Sequence, residues 1–102
     1  MTTTSCDPDF EFVNEKDASR YTLTHRGDLV SVLDYRDDGH TVALTRAFTI
    51  PTFRGKGYAA VVTERAVAEI ESLADRKIDP VCWYVSDWFE ANPGKKNLLR
   101  RR

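Results

Sequence analysis

The sequence predicts an α+β domain: an antiparallel meander, then a glycine loop, a helix, a parallel strand and short C-terminal helices. Three observations lead there. Apolar and β-branched residues alternate through successive stretches of residues 20–50, separated by the turn signals Gly27-Asp28 and Asp38-Gly39. Apolar residues then recur every third or fourth position from Tyr58 to about Ala74, the period of a core-facing helix. Between these patterns, Pro51 to Gly57 (PTFRGKG) joins a strand end to a helix start through two glycines and two cations.

Taken in order, Phe10 to Val13 (FEFV) forms a first short strand and Asn14 to Ser19 a charged connection. In Arg20 to Arg26, Tyr21, Leu23 and His25 alternate with Thr22 and Thr24, as in a half-buried strand. Leu29 to Arg36 is rich in β-branched and aromatic residues and supplies the next strand. Thr41 to Ile50 is the third of the meander. Strict alternation there puts Val42, Leu44, Arg46, Phe48 and Ile50 on one face and the small residues Thr41, Ala43, Thr45, Ala47 and Thr49 on the other. The helix carries its stripe on Ala59, Val62, Ala66, Ile70 and Leu73 and ends at Asp75-Arg76-Lys77. Ile78 to Val85 passes through Pro80 into VCWYV, a continuous apolar run that reads as a buried strand with an irregular start. Strand, helix and strand in that order imply parallel pairing through a right-handed crossover. Ser86 reads as the N-cap of a short helix bearing Trp88 and Phe89, with Asp87 and Glu90 in its first turn. Asn92-Pro93-Gly94 breaks that helix, and Lys95 to Leu99 adds one more turn.

At 102 residues the chain is one domain, able to bury roughly two-thirds of its unfolded surface. We divide it into a loose N-terminus (1–10), the domain (11–99) and a basic end (100–102). Charge is balanced at a net −1, which argues against nucleic acid as a partner. Cys6 and Cys82 form neither a disulfide framework nor a zinc pattern, and no metal site is expected. The first residues lack the basic and apolar regions of a signal peptide, and no apolar run reaches membrane-spanning length. The cytoplasm is the default compartment, and a monomer or weak dimer the expected state.

The glycine loop carries the chemistry. A helix N-terminus has unpaired amides and partial positive charge, glycines let an anion approach, and Arg54 and Lys56 add full charges. From the residues alone this is a phosphate or pyrophosphate cradle. It lacks the Gly-Lys-Ser/Thr of a Walker loop, and the third glycine of a Rossmann fingerprint is missing. Gly-x-Gly also serves simply as a strand-to-helix turn.

The loop Arg54-Gly55-Lys56-Gly57-Tyr58-Ala59 matches Arg-x-x-Gly-x-Ala and resembles the pyrophosphate loop of GNAT acetyltransferases. Together with FTIP (Phe48 to Pro51) and PVCWYVSDWFEANP (Pro80 to Pro93), the chain resembles a minimal GNAT, in particular the small YjdJ-type subgroup, over roughly residues 11–99. A histidine found in many subgroup members just before the strand end is absent from Thr45-Arg46-Ala47-Phe48.

The resemblance implies acetyl-CoA as donor and an amine as acceptor: a small amine, a protein lysine or an N-terminus. It places pyrophosphate on Arg54, Gly55, Lys56, Gly57, Tyr58 and Ala59, and the pantetheine arm along Phe48, Thr49 and Ile50. A backbone amide near Phe48 would then face the thioester oxygen. It also points Cys82, within the parallel strand, at the reactive end of coenzyme A, either as an acetyl-accepting nucleophile or as an inert pocket thiol. Tyr84 is a candidate acid toward the leaving thiolate. His25, Asp34, Asp87 and Glu90 are candidate bases, though both histidines, His25 and His40, read more readily as structural or exposed. The basic end is a solvated tail or a contact for the ribose 3′-phosphate. Two other readings stand beside the enzyme: a module that binds coenzyme A or acyl-CoA without efficient turnover, and a structural protein whose glycine loop is only a turn.

Overall fold

The computed structural model describes residues 9–100. Cys6, most of the loose N-terminus, Arg101 and Arg102 lie outside the described residues. Strands β1 (Phe10–Glu15), β2 (Arg20–His25), β3 (Asp28–Asp37) and β4 (Thr41–Thr49) form the antiparallel meander. Helix α1 (Tyr58–Leu73) crosses over, and β5 (Lys77–Asp79) pairs parallel to β4. Helix α2 (Trp83–Ala91) and a 3-10 segment (Pro93–Leu98) close the chain. The sheet order is β1-β2-β3-β4-β5.

The turns follow their chemistry. Arg26 and Gly27 both adopt positive φ (53° and 86°), the two-residue hairpin geometry that matches strand twist, so this turn lies one residue earlier than Gly27-Asp28. In the second hairpin the Asp38 carboxylate accepts from the amides of His40 and Thr41, each at 2.8 Å.

One irregularity shapes β4. Arg46 stands opposite Asp34, but Leu44 stands opposite Tyr35, so Thr45 is the extra residue of a bulge. Its hydroxyl donates to the Asp34 carbonyl at 3.3 Å. The bulge reverses the side-chain phase, and strict alternation therefore fails here. Val42 and Leu44 are buried in the core and Ala47 packs against it, whereas Arg46 is exposed and lies against Phe48 on the opposite face. The predicted face shared by Val42, Leu44, Arg46, Phe48 and Ile50 is thus split at Thr45.

The second correction concerns Ile78 to Val85, which is not one strand. Pairing with β4 covers Lys77 to Asp79. Pro80 has no amide to donate, and the Val81 amide bonds back to the Asp79 carbonyl at 3.0 Å. One link to β4 remains, from the Cys82 amide to the Leu44 carbonyl (2.9 Å), before α2 begins at Trp83. The N-cap is Cys82, not Ser86, whose amide already makes a helical bond to the Cys82 carbonyl (3.1 Å). The apolar run is helical because Val85 and Phe89, one turn apart, are its buried residues, while Val81 and Trp83 are exposed.

One core joins the sheet to both helices: Leu23, Leu33 and Leu44 meet Val62, Ala66 and Ile70 of α1 and Val85 and Phe89 of α2. Of the predicted α1 stripe, Leu73 is exposed and Val67 is buried instead. Phe89 is 1% exposed. Phe89→Ala should cost about 3–5 kcal/mol in chemical denaturation, because it leaves a cavity where α2 meets the core.

Tyr21 sits in this core, stacked on Phe12 and tilted against Tyr35. Burial, reinforced by the negative charge of Glu69, raises its phenol well above the ordinary value. In the unfolded chain the phenol ionises first, from about pH 10, so protons are bound preferentially by the folded state above that pH. Stability should be unaffected by this group below pH 10 and fall above it by up to about 1.4 kcal/mol per pH unit. Tyr21→Phe should remove that share of the alkaline limb in pH-dependent unfolding.

Candidate functional site

The loop between β4 and α1 has the geometry of an open cradle. Gly55 and Gly57 take positive φ of 84° and 82°, values that disfavour a side chain. Gly57 is the N-cap of α1, and no side chain caps that end. The first helical bond runs from the Val61 amide to the Gly57 carbonyl at 3.2 Å, leaving the amides of Tyr58, Ala59 and Ala60 ahead of it. The first turn holds no acidic residue. Lys56 is exposed beside it.

Arg54 is placed differently from the expectation. Its guanidinium lies over the Phe48 ring, 5.6 Å from the centroid, and its Nε donates to the Thr49 carbonyl at 3.2 Å. Arg46 lies over the same ring at 5.1 Å. Arg54 therefore packs on the strand end rather than over the amides of α1.

The strand end divides its backbone by alternation. The Ile50 amide donates to the Val30 carbonyl of β3 (2.9 Å), and Phe48 pairs with Val32. Phe48 and Ile50 thus direct their backbone groups to β3, while Ala47 and Thr49 between them direct theirs toward the β5 side. Beyond Leu44, β5 has already left. The result is a seam between β4 and the start of α2, bounded by Cys82 below and the glycine loop above. Any donor near Phe48 facing this seam is the amide of Ala47 or Thr49. Sequence alternation points to such a division, but the bulge at Thr45 sets its phase.

Helices α1 and α2 frame a cleft of about 550 Å³, walled by Ala60, Val61 and Glu64 on one side and Tyr84, Asp87 and Trp88 on the other. Ala60 belongs to both the cleft and the uncapped turn, so the two are continuous. Burial raises the Tyr84 phenol above its usual value. Cys82 is half-buried against the core at the N-cap of α2. No hydrogen bond joins it to the Tyr84 hydroxyl among the described residues.

The remaining candidates scatter. His25 bonds the Tyr58 hydroxyl through Nδ1 at 3.0 Å and lies 4.6 Å from the Phe10 ring, which makes it a brace for the first residue of α1. His40 is exposed. Asp34 lies 3.8 Å from Arg46. Asp87 lines the cleft, and Glu90 pairs with Lys96 at 3.2 Å. At the basic end Lys95 pairs with Glu71 (2.8 Å) and Arg100 with Asp79 (3.4 Å). Sequence reasoning missed Ala60, Val61 and Glu64 as cleft walls; the signal available was the pairing of two helices after one loop. Among the described residues no group of three or more His, Cys, Asp or Glu side chains forms a metal cluster, and no helix is long and apolar enough to cross a membrane.

A Cβ at Gly57 would meet nothing within 4 Å, so Gly57→Ala tests the backbone alone. It should cost about 1 kcal/mol in urea denaturation through the left-handed φ, with no packing defect.

No curated protein matches the chain. A family model described as GCN5-related N-acetyl-transferase matches residues 20–98, from the first residue of β2 through the C-terminal 3-10 segment. With β2 to β5, the glycine loop, the seam and both helices inside that span, the chain belongs to the GCN5-related N-acetyltransferase family.

Proposed function

We propose that this protein transfers an acetyl group from acetyl-CoA to an amine, with the seam between β4 and α2 as the place of reaction. The observation that carries the reading is the succession of three features: β4 backbone beyond Leu44 with no strand on its β5 side, an uncapped turn at α1 beside Lys56, and a cleft between α1 and α2 that Ala60 shares with that turn. A pyrophosphate fits the amides of Tyr58, Ala59 and Ala60 with Gly55 and Gly57 in left-handed conformation, and Lys56 supplies charge. Arg54 joins them by leaving the Thr49 carbonyl, which frees that acceptor for an amide of the pantetheine arm. The amide of Ala47 or Thr49 then stabilises the oxygen of the tetrahedral intermediate.

Two routes complete the transfer. In one, the Cys82 thiol gives up its proton as its sulfur attacks the acetyl carbonyl; the bond to the coenzyme A sulfur breaks, and that sulfur takes up the proton. The acceptor amine then attacks the acetyl-cysteine, loses a proton and regenerates the thiol. In the other, the amine attacks acetyl-CoA directly, Tyr84 protonates the departing sulfur, and the proton lost by the amine restores the phenol. The position of Cys82, tied by its amide to Leu44 at the foot of the seam, supports the first route. The acceptor is a small amine or a protein lysine or N-terminus, and the protein acts in the cytoplasm as a monomer or weak dimer. A module that holds acyl-CoA without turnover is the reading to separate from this one.

Intact mass spectrometry after incubation with acetyl-CoA, with affinities from calorimetry, decides between them. We expect saturable binding and one acetyl adduct on the wild type that is lost in Cys82→Ala. Binding without an adduct or release of coenzyme A favours the module. Absence of binding removes the cradle reading.

A further inference from the structure

A cleft larger than the one between α1 and α2 lies elsewhere on the molecule. About 740 Å³ opens at the other end of α1, between the sheet and the last helical turn. Glu69, which lines it, lies roughly 16 Å along α1 from Tyr58. Its walls are chemically specific. Tyr21 is 3% exposed yet lines this space, and no protein group bonds its hydroxyl among the described residues. The hydroxyl opens to the cleft rather than being sealed: the fully buried polar atoms without a partner among the described residues are Thr63 Oγ1 and Arg65 Nε. Tyr35 packs against it with ring centroids 4.7 Å apart, and the Tyr35 hydroxyl donates to Asn14 Oδ1 at 2.8 Å. Asn14 Nδ2 in turn donates to Glu69 Oε2 at 2.9 Å. Asparagine thus fixes one carboxylate oxygen, and the other Glu69 oxygen has no protein partner among the described residues.

The surrounding charge favours a cation. Glu69, Tyr35 and Asp37 all act on the Tyr21 phenol in the sense of negative charge. Arg76 is neutralised between Asp37 (3.0 Å) and Asp75 (2.6 Å), and Lys16 is exposed at the rim. The C-terminal end of a helix carries partial negative charge, and the last turn of α1 holds no basic residue to answer it.

We infer that this cleft is a second site, binding the primary ammonium group of a small amine between the Tyr21 hydroxyl and the free Glu69 oxygen, against the Tyr21 and Tyr35 rings. The ammonium donates to both oxygens, and the rings add cation–π attraction. The site is remote from the glycine loop and does not rest on acetyl transfer.

The test is an NMR titration of the ¹⁵N-labelled full chain, without acyl-CoA, using 1,4-diaminobutane. Saturable shifts are expected at Asn14, Tyr21, Tyr35, Glu69 and Ser72. Glu69→Gln, which keeps an acceptor for Asn14, should weaken binding about tenfold and Tyr21→Phe by about threefold. If Glu69→Gln does not fold, Tyr21→Phe decides alone. Three results overturn the inference: no saturable shift, which leaves only water on Tyr21; shifts confined to Ala60, Tyr84 and Trp88; or affinity unchanged by the variants. Equal shifts on titration with sodium acetate overturn it as well, because the site would then not select a cation.

Discussion

Pro80 cannot donate to β4, and the Val81 amide turns back to Asp79, so β5 ends after three residues. Much of the site depends on that interruption. Had the ladder continued, the seam-facing groups of Ala47 and Thr49 would be consumed by a neighbouring strand. Because it stops, the chain bends at Cys82 and enters α2, whose Val85 and Phe89 anchor it in the core. The single bond from Cys82 to Leu44 holds the foot of the opening. The bulge at Thr45 acts with it, turning Phe48 away from the core and bringing Ala47 inward just where the seam widens.

The glycine loop shows a local conflict of the kind expected at functional sites. An N-cap serine or an acidic first turn would stabilise α1 by about 1 kcal/mol; this helix has neither. Its first residue is held from elsewhere, by the His25 bond to Tyr58 and by Phe53 packing edgewise on the Tyr58 ring. Bracing by side chains keeps the turn ordered while leaving its amides unoccupied. Arg54, bonded to Thr49 and stacked on Phe48, keeps the strand end compact in the same way.

The parts legible in the sequence are those set by short-range rules. Alternation marked β2 and β3, dipeptide turns marked the hairpins, and the period of α1 and the glycines before it marked the crossover. What escaped depends on partners distant in the chain. A bulge such as Thr45 leaves no compositional trace, because the extra residue is defined by the strand opposite. VCWYV is apolar without a break, and such runs fit strand and helix alike until burial shows which residues face inward. The Cys82 position shifted with that error, from strand interior to helix cap. Alternation puts Tyr21 in a half-buried strand, but its open hydroxyl follows only from the meeting of β2, β3 and the far end of α1.

Helix α1 leaves both of its ends electrically unanswered: no acid in the first turn and no base in the last. In an isolated helix each omission costs a few tenths to about 1 kcal/mol. Here one end presents the glycine-loop amides beside exposed Lys56, and the other faces a cleft lined by Glu69 and two tyrosines. The dipole thus gives the two ends of α1 opposite preferences, anion at the N-terminus and cation at the C-terminus. Both ends belong to one rigid rod whose Val62, Ala66 and Ile70 are fully buried, so that neither can be reshaped without disturbing the packing that holds the other.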